Sequence, residues 1–197
     1  RDMPLAPSYF KRMKQVNANG PDALGHDWPG QQRISAKALH DRLCDNCLVL
    51  DVRSKESFAG AHVPGAINIP LGGSFPTWAG WILPADRRIT IVADAPTDVP
   101  AVVTHLIRVG LDQIDGYLAG GIGAWERAGY ELAQLTSISV QNLQAQLTGA
   151  RPPQVLDVRT DNEWQKGHIS GAVHIHGGEL KDRLDELDKR QPVAVLC

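Results

Sequence analysis

The chain carries one passage twice, and that duplication limits its folds more than any other feature. Residues 49–69 read VLDVRSKESFAGAHVPGAINI and residues 155–175 read VLDVRTDNEWQKGHISGAVHI, aligned without a gap at an offset of 106. A repeat this long implies a duplicated domain, not a short solenoid unit. An apolar, strand-like run follows each copy. The first ends ITIVAD at Asp94 and the second ends VAVLC at Cys197. Matched by their last residues, the runs offer a carboxylate in one copy and a thiol in the other.

A chain of 197 residues holds one large or two small domains, and the repeat favours two. Residues 1–31 read as a linker or N-terminal extension, 32–134 as a first domain and 137–197 as a second. In the extension, Phe10 to Val16 suits a short helix that N-A-N-G-P at 17–21 would stop, and His26, Trp28 and Pro29 lead into the repeat. Ser35 is a helix N-cap candidate, with Ala38, Leu39 and Leu43 as an apolar stripe. Ile138-Ser139 with Leu143 and Leu147 repeats the pattern.

Leu48 to Val52 and Val155 to Val158 read as buried strands. Their near-continuous apolar character fits a parallel sheet covered on both faces. G-A-x-x-I turns into a third strand. Ile89 to Ala93 and Val193 to Leu196 read as the next. A helix over 98–109 should place Val102, Leu106 and Val109 on one face, with Pro100 in its first turn and Gly110 at its end. Ile114 to Leu118 is a fifth strand, and Gly120-Gly121 opens a last helix closed by Gly129. The fold class is therefore α/β: two domains, each an open, mainly parallel five-stranded sheet with helices on both faces. By internal comparison the second lacks its fifth strand and last helices.

A net charge of −2 without a basic run argues against nucleic acid or an acidic membrane surface as the partner. No apolar stretch reaches membrane-spanning length, and the polar start RDMPLAPSYFKRMKQ has no signal-peptide core. Three cysteines, an odd number, argue against a disulfide framework and for a reducing cytoplasm.

D-V-R followed by G-A-H-V-P-G-A at 60–66, D-V-R followed by G-H-I-S-G-A at 167–172, and Gly120-Gly121 with Ala124-Trp125 together resemble the rhodanese family. The leader S-Y-F-K-R-M-K-Q-V-N-A-N-G-P, with Trp78 and Trp81, is similar to the stretch after the metallo-β-lactamase domain in bacterial persulfide dioxygenase–rhodanese fusions. The ligand motif of such a domain is absent from these residues, so no metal site and no cofactor is expected. The expected partners are a small sulfane-sulfur donor, a thiol or cyanide acceptor, and a fused or separate metallo-β-lactamase-fold domain.

The resemblance implies a nucleophilic Cys at the end of the fourth strand. A loop there curls its N–H groups around the sulfur and stabilises an anionic persulfide. Cys197 matches this position. As the chain is given, the loop does not follow it, so these residues alone are expected to be inactive. Asp94 would stand in the same position of the first copy. Its loop A-P-T-D-V lacks glycine and arginine, and with Asp98 nearby it would repel thiosulfate. That copy then reads as degenerate, with Asp94 as a general base the rival reading. The resemblance also places the fifth strand between the first and fourth. A loop with Gly and Arg after Cys197 would favour sulfur transfer; a loop one residue longer would favour phosphatase-like chemistry; no loop would favour a docking or scaffold module.

His62 and His168 occupy matching positions and suit structural hydrogen bonds, as do the pairs Asp51/Arg53 and Asp157/Arg159. Asp157, Arg159 and His168 are also candidates for site support in the second copy. Cys44 and Cys47 form C-D-N-C, which reads as two ordinary thiols in a turn against a redox pair or half a zinc site. His174, His176 and Glu179 read as a solvated loop against a metal cluster.

Overall fold

The computed structural model describes residues 9–20, 28–43 and 47–197. His26 and Cys44 lie outside the described residues. The chain divides into two compact units, Arg1–Thr136 and Ser137–Cys197.

In the first unit, α1 (Phe10–Asn19) runs through Asn17-Ala18-Asn19, three residues beyond the expected helix, and stops at Gly20 (φ 81°). Asparagine is a poor helix former but not a breaker, whereas glycine adopts positive φ freely. α1 is not a free tether. Arg12 donates to the Val109 carbonyl at 2.9 Å, and Tyr9 packs on the unit's core.

The order then runs β1 (Arg33–Ile34), α2 (Ala36–Arg42), β2 (Leu48–Asp51), α3 (Lys55–Gly60), β3 (Ile67–Asn68), α4 (Phe75–Ile82), β4 (Ile89–Val92), α5 (Val99–Arg108), β5 (Ile114–Leu118) and α6 (Gly121–Arg127). The sheet is parallel throughout, in the order β1-β5-β4-β2-β3, so β5 lies between the first and fourth strands as expected. Alternation in β2 decides the two faces. Leu48 and Leu50 join Ile89 and Ile91 under Phe75 and Ala79 of α4 and Val102, Val103 and Leu106 of α5. Val49 and Val92 join Leu39 of α2 and Trp125 of α6. Both faces are covered, which is why the strands lack polar alternation. The helix carrying Trp78 and Trp81, α4, was not expected from the W-x-x-W run; Pro76 opens it.

The second unit holds α7 (Val140–Leu147), β6 (Gln154–Asp157), α8 (Asp161–Gln165), β7 (Val173–His174), α9 (Leu180–Arg183) and β8 (Val193–Leu196). Its parallel sheet has three strands, β7-β6-β8. Ser139 caps α7 by accepting from the Asn142 N–H at 3.1 Å, as Ser35 caps α2. Ile138 forms no strand, although its counterpart Ile34 does. The reason is topological. β1 pairs only with β5, and the second unit has no β5 counterpart among the described residues.

Candidate functional site

In a parallel sheet, ligands meet the carboxyl ends of the strands. At that edge of the first unit, β4 ends at Val92, and Ala93 and Asp94 lead into a 3₁₀ turn at Pro96–Asp98 and the start of α5. Asp94 is exposed in this loop. The G-G signature shapes the floor. Gly120 and Gly121 have φ of 79° and 57°, and a Cβ on Gly121 would stand 3.3 Å from the Ala93 carbonyl. The last helix can therefore approach the strand-end loop only with glycine in this turn.

At the same edge of the second unit, Cys197 follows β8 directly and is exposed, with a free thiol. The ladders correct its expected partner in the first unit. β2 pairs with β4 as Leu48↔Ile89 through Asp51↔Val92, and β6 with β8 as Gln154↔Val193 through Asp157↔Leu196. The closing bonds repeat the register, Val52 N–H to Val92 and Val158 N–H to Leu196. Leu196 therefore stands where Val92 does, and Cys197 matches Ala93. Asp94 lies one residue further along the loop. Matching the runs by their last residues misses this, because ITIVAD extends two residues past β4 and VAVLC only one past β8.

The D-V-R segments build one polar frame twice. Asp51 takes the Arg53 backbone N–H at 3.0 Å, Nε at 3.0 Å and Nη2 at 2.7 Å, and Nη2 also reaches the Ala61 carbonyl at 2.7 Å. Asp157 takes the same three donors of Arg159 at 3.0, 2.9 and 2.6 Å, and Nη2 reaches the Gly167 carbonyl at 2.9 Å. These hydrogen bonds hold the Asp157 carboxyl below its ordinary range and raise the Arg159 guanidinium. Each frame ties the end of an interior strand, β2 or β6, to the chain beyond the next helix.

The histidines follow the same plan. His62 donates from Nδ1 to the Phe58 carbonyl at 2.8 Å and stacks on Phe58; His168 donates to the Trp164 carbonyl at 3.1 Å and stacks on Trp164. His174 stacks on Trp164 too and donates from Nε2 to the Arg159 carbonyl at 2.9 Å. Its counterpart Asn68 bonds the Arg53 carbonyl at 3.0 Å. His176 Nδ1 accepts from the Gly178 N–H, and Glu179 pairs with Arg183. Each of these rings and carboxylates has a partner within the frame or its loop. Asp157, Arg159 and His168 thus lie in one frame at the end of β6, whose Asp157 pairs with Leu196, the residue before Cys197.

The rhodanese-like domain model matches residues 35–128 and 139–197. The chain belongs to the rhodanese-like domain family. Among curated relatives, this rhodanese-like chain is 30% identical over 66 residues to the thiosulfate sulfurtransferase GlpE of Shewanella oneidensis, covering 34% of this chain and 64% of the relative. It is 43% identical over 49 residues to the uncharacterized protein YqhL of Bacillus subtilis, covering 25% of this chain and 39% of the relative. The chain thus spans less than two thirds of either. Among solved structures, a variant of EanB in complex with hercynine gives a TM-score of 0.50 at 14% identity, covering 77% of this chain and 42% of that one; this likeness shows the fold alone. No helix among the described residues is long and apolar enough to cross a membrane.

Proposed function

We propose that this rhodanese-like chain handles sulfane sulfur, with Cys197 of the second domain as the sulfur-carrying nucleophile and the first domain non-catalytic. The observation that carries the reading is the strand register. The residue just past the fourth strand is a thiol in one unit and a methyl group, Ala93, in the other. Ala93 cannot hold sulfur, and the neighbouring Asp94 would disfavour an anionic donor.

In the transfer, the Cys197 thiolate attacks the sulfane sulfur of a donor and the donor's S–S bond breaks. A thiol or cyanide then takes the sulfur from the resulting persulfide. The thiosulfate sulfurtransferase among the relatives supports this class of donor. Asp157, Arg159 and His168 act as positioning residues through the strand-end frame. Thiolate chemistry suits a reducing compartment such as the cytoplasm.

Transfer through Cys197 requires backbone N–H donors curled around its sulfur, so thiosulfate:cyanide turnover should be at background for the 197-residue polypeptide. In a polypeptide that includes such a loop, Cys197→Ser should abolish turnover and Asp94→Ala should leave it unchanged. Robust turnover that survives Cys197→Ser would sink the assignment. The leader's likeness to persulfide dioxygenase fusions supports a metallo-β-lactamase-fold partner, fused or separate, that supplies or drains the sulfur. A second reading, a docking module, is favoured by the first unit alone, whose strand-end loop has no nucleophile.

A further inference from the structure

The first unit contains a second thiol at the opposite end of its sheet. Cys47 precedes β2, Arg88 precedes β4 and Asp115 is the second residue of β5, so all three lie at the amino ends of the strands. With Arg42, at the end of α2, they line a cavity of about 220 Å³. Cys47 is held rather than loose. Its Sγ shares a hydrogen bond with the buried Thr90 hydroxyl at 3.4 Å, and its carbonyl accepts from Arg87 at 3.1 Å. Arg88 donates from Nε and Nη2 to the nearly buried Asp115 carboxylate. Arg42 stands 3.7 Å from the same carboxylate, beyond hydrogen-bond reach. Among the described residues that line the cavity, two guanidinium groups thus face one carboxylate beside a thiol, which leaves one positive charge over. That arrangement suits a small oxoanion, and it suits a negatively charged sulfur on Cys47.

We propose that Cys47 is a second sulfur-accepting thiol of this protein, and that Arg42 and Arg88 receive an oxoanionic sulfane-sulfur donor in its cavity. The choice of donor rests on the sulfur-handling reading above; the site itself is separate from Cys197. With thiosulfate, the Cys47 thiol gives its proton to solvent and the thiolate attacks the outer sulfur. The S–S bond of thiosulfate breaks, and sulfite leaves with the bonding pair. Cys47 keeps a perthiolate, and no outside oxidant or reductant takes part. The left-over charge of Arg42 and Arg88 then balances the perthiolate.

The test is a single loading of the reduced 197-residue chain with thiosulfate, trapping by an alkylating agent and fragment mass analysis that separates Cys44 from Cys47. The expected result is one added sulfur on Cys47, unchanged in Cys197→Ser. Loading should fall roughly tenfold in Arg42→Gln and recover in part in Arg42→Lys, since a charged hydrogen bond to the donor is lost and then partly restored. Sulfite alone, the product anion, should slow alkylation of Cys47 in the unmodified chain, a readout independent of whether the variants fold. Sulfur found only on Cys44, sulfur found only on Cys197, or loading indifferent to both Arg42→Gln and sulfite each overturns the proposal. Sulfur on Cys197 alone would do so while leaving the Cys197 assignment intact.

Discussion

The two units share a frame and differ in what covers it. Asp51 and Asp157 are both fully buried, each gripping its own arginine with the same three bonds. Around them the units diverge. Ile91 is 0% exposed under α5, while Val195, at the same register, is 60% exposed. Of the buried hydrophobic residues described, four lie in the second unit: Leu143, Val155, Leu156 and Ile175. The frame needs only neighbours within about twenty residues, so it forms wherever the motif is written. Closing a core needs layers that return from far along the chain, and β8 has a partner on one side only among the described residues. An open edge with apolar side chains is a site for further pairing.

The sharpest way to break the comparison is to exchange the chemistry at the matched strand ends. In a polypeptide with a complete loop, Cys197→Ser should take sulfur transfer to background. Ala93→Cys in the first unit should not restore it, because Asp94 follows that position directly and the loop A-P-T-D-V lacks glycine and arginine. Turnover gained by Ala93→Cys would show that the first unit lacks only its nucleophile.

Stability should separate the frames next. Arg53 is almost wholly buried, whereas the Arg159 side chain is 23% exposed. Removing one member of a buried pair leaves the other charge uncompensated, at a cost of about 3–5 kcal/mol. Asp51→Ala should cost the first unit that much, and Asp157→Ala should cost the second less, since water can reach Arg159. Hydrogen exchange followed by peptide mass reads the two units separately. Equal losses would mean that solvent does not relieve Arg159.

The core makes the same contrast with apolar atoms. Ile91→Ala leaves a cavity between sheet and helix and should cost about 2–5 kcal/mol. Val195→Ala removes exposed methyls and should change stability by less than about 0.5 kcal/mol. A large loss from Val195→Ala would mean that something covers β8 in solution, and cross-linking would identify it.

Much of this was legible in the sequence because the signals are local. The strands at Leu48 and Ile114, the Ser35 and Ser139 caps, and the helix behind Pro100 each announce themselves within a few residues. The histidine hydrogen bonds followed from seeing the same residue in both copies. What escaped was relational. A run of apolar residues does not state its own register, so only the ladders distinguish Ala93 from Asp94 as the match for Cys197. The Cys47 cavity escaped for the same reason, since Arg42, Arg88 and Asp115 come from three elements that only the sheet order brings together. The signal for α4 lies in Phe75, Trp78, Ala79 and Ile82, spaced i, i+3, i+4 and i+7 around Pro76, and not in the W-x-x-W pair alone.

Acid should produce the smallest effect and test whether the second frame stabilises its unit or merely fits it. The Arg159 hydrogen bonds depress the folded-state ionisation of Asp157, with the Arg159 backbone N–H and the Arg159 and His174 charges adding to them against the cost of burial. A depressed carboxylate contributes stability that is fully present above its unfolded value, about 3.9, and is lost as pH falls through the lower folded value. Protection of the β6 amides should therefore hold from about pH 6 to about pH 4 and weaken below. Asp157→Asn should lower protection at neutral pH and flatten its acid dependence. Glu163, which accepts from the Thr160 hydroxyl and N–H, and Glu186 and Asp188, paired with Arg183 and Arg190, are depressed as well. They face solvent, where such pairs contribute little. If Asp157→Asn keeps the full acid loss of the parent chain, those surface carboxylates carry it. The Asp157–Arg159 pair would then fix the geometry of the β6 end beside Cys197 without adding to its stability.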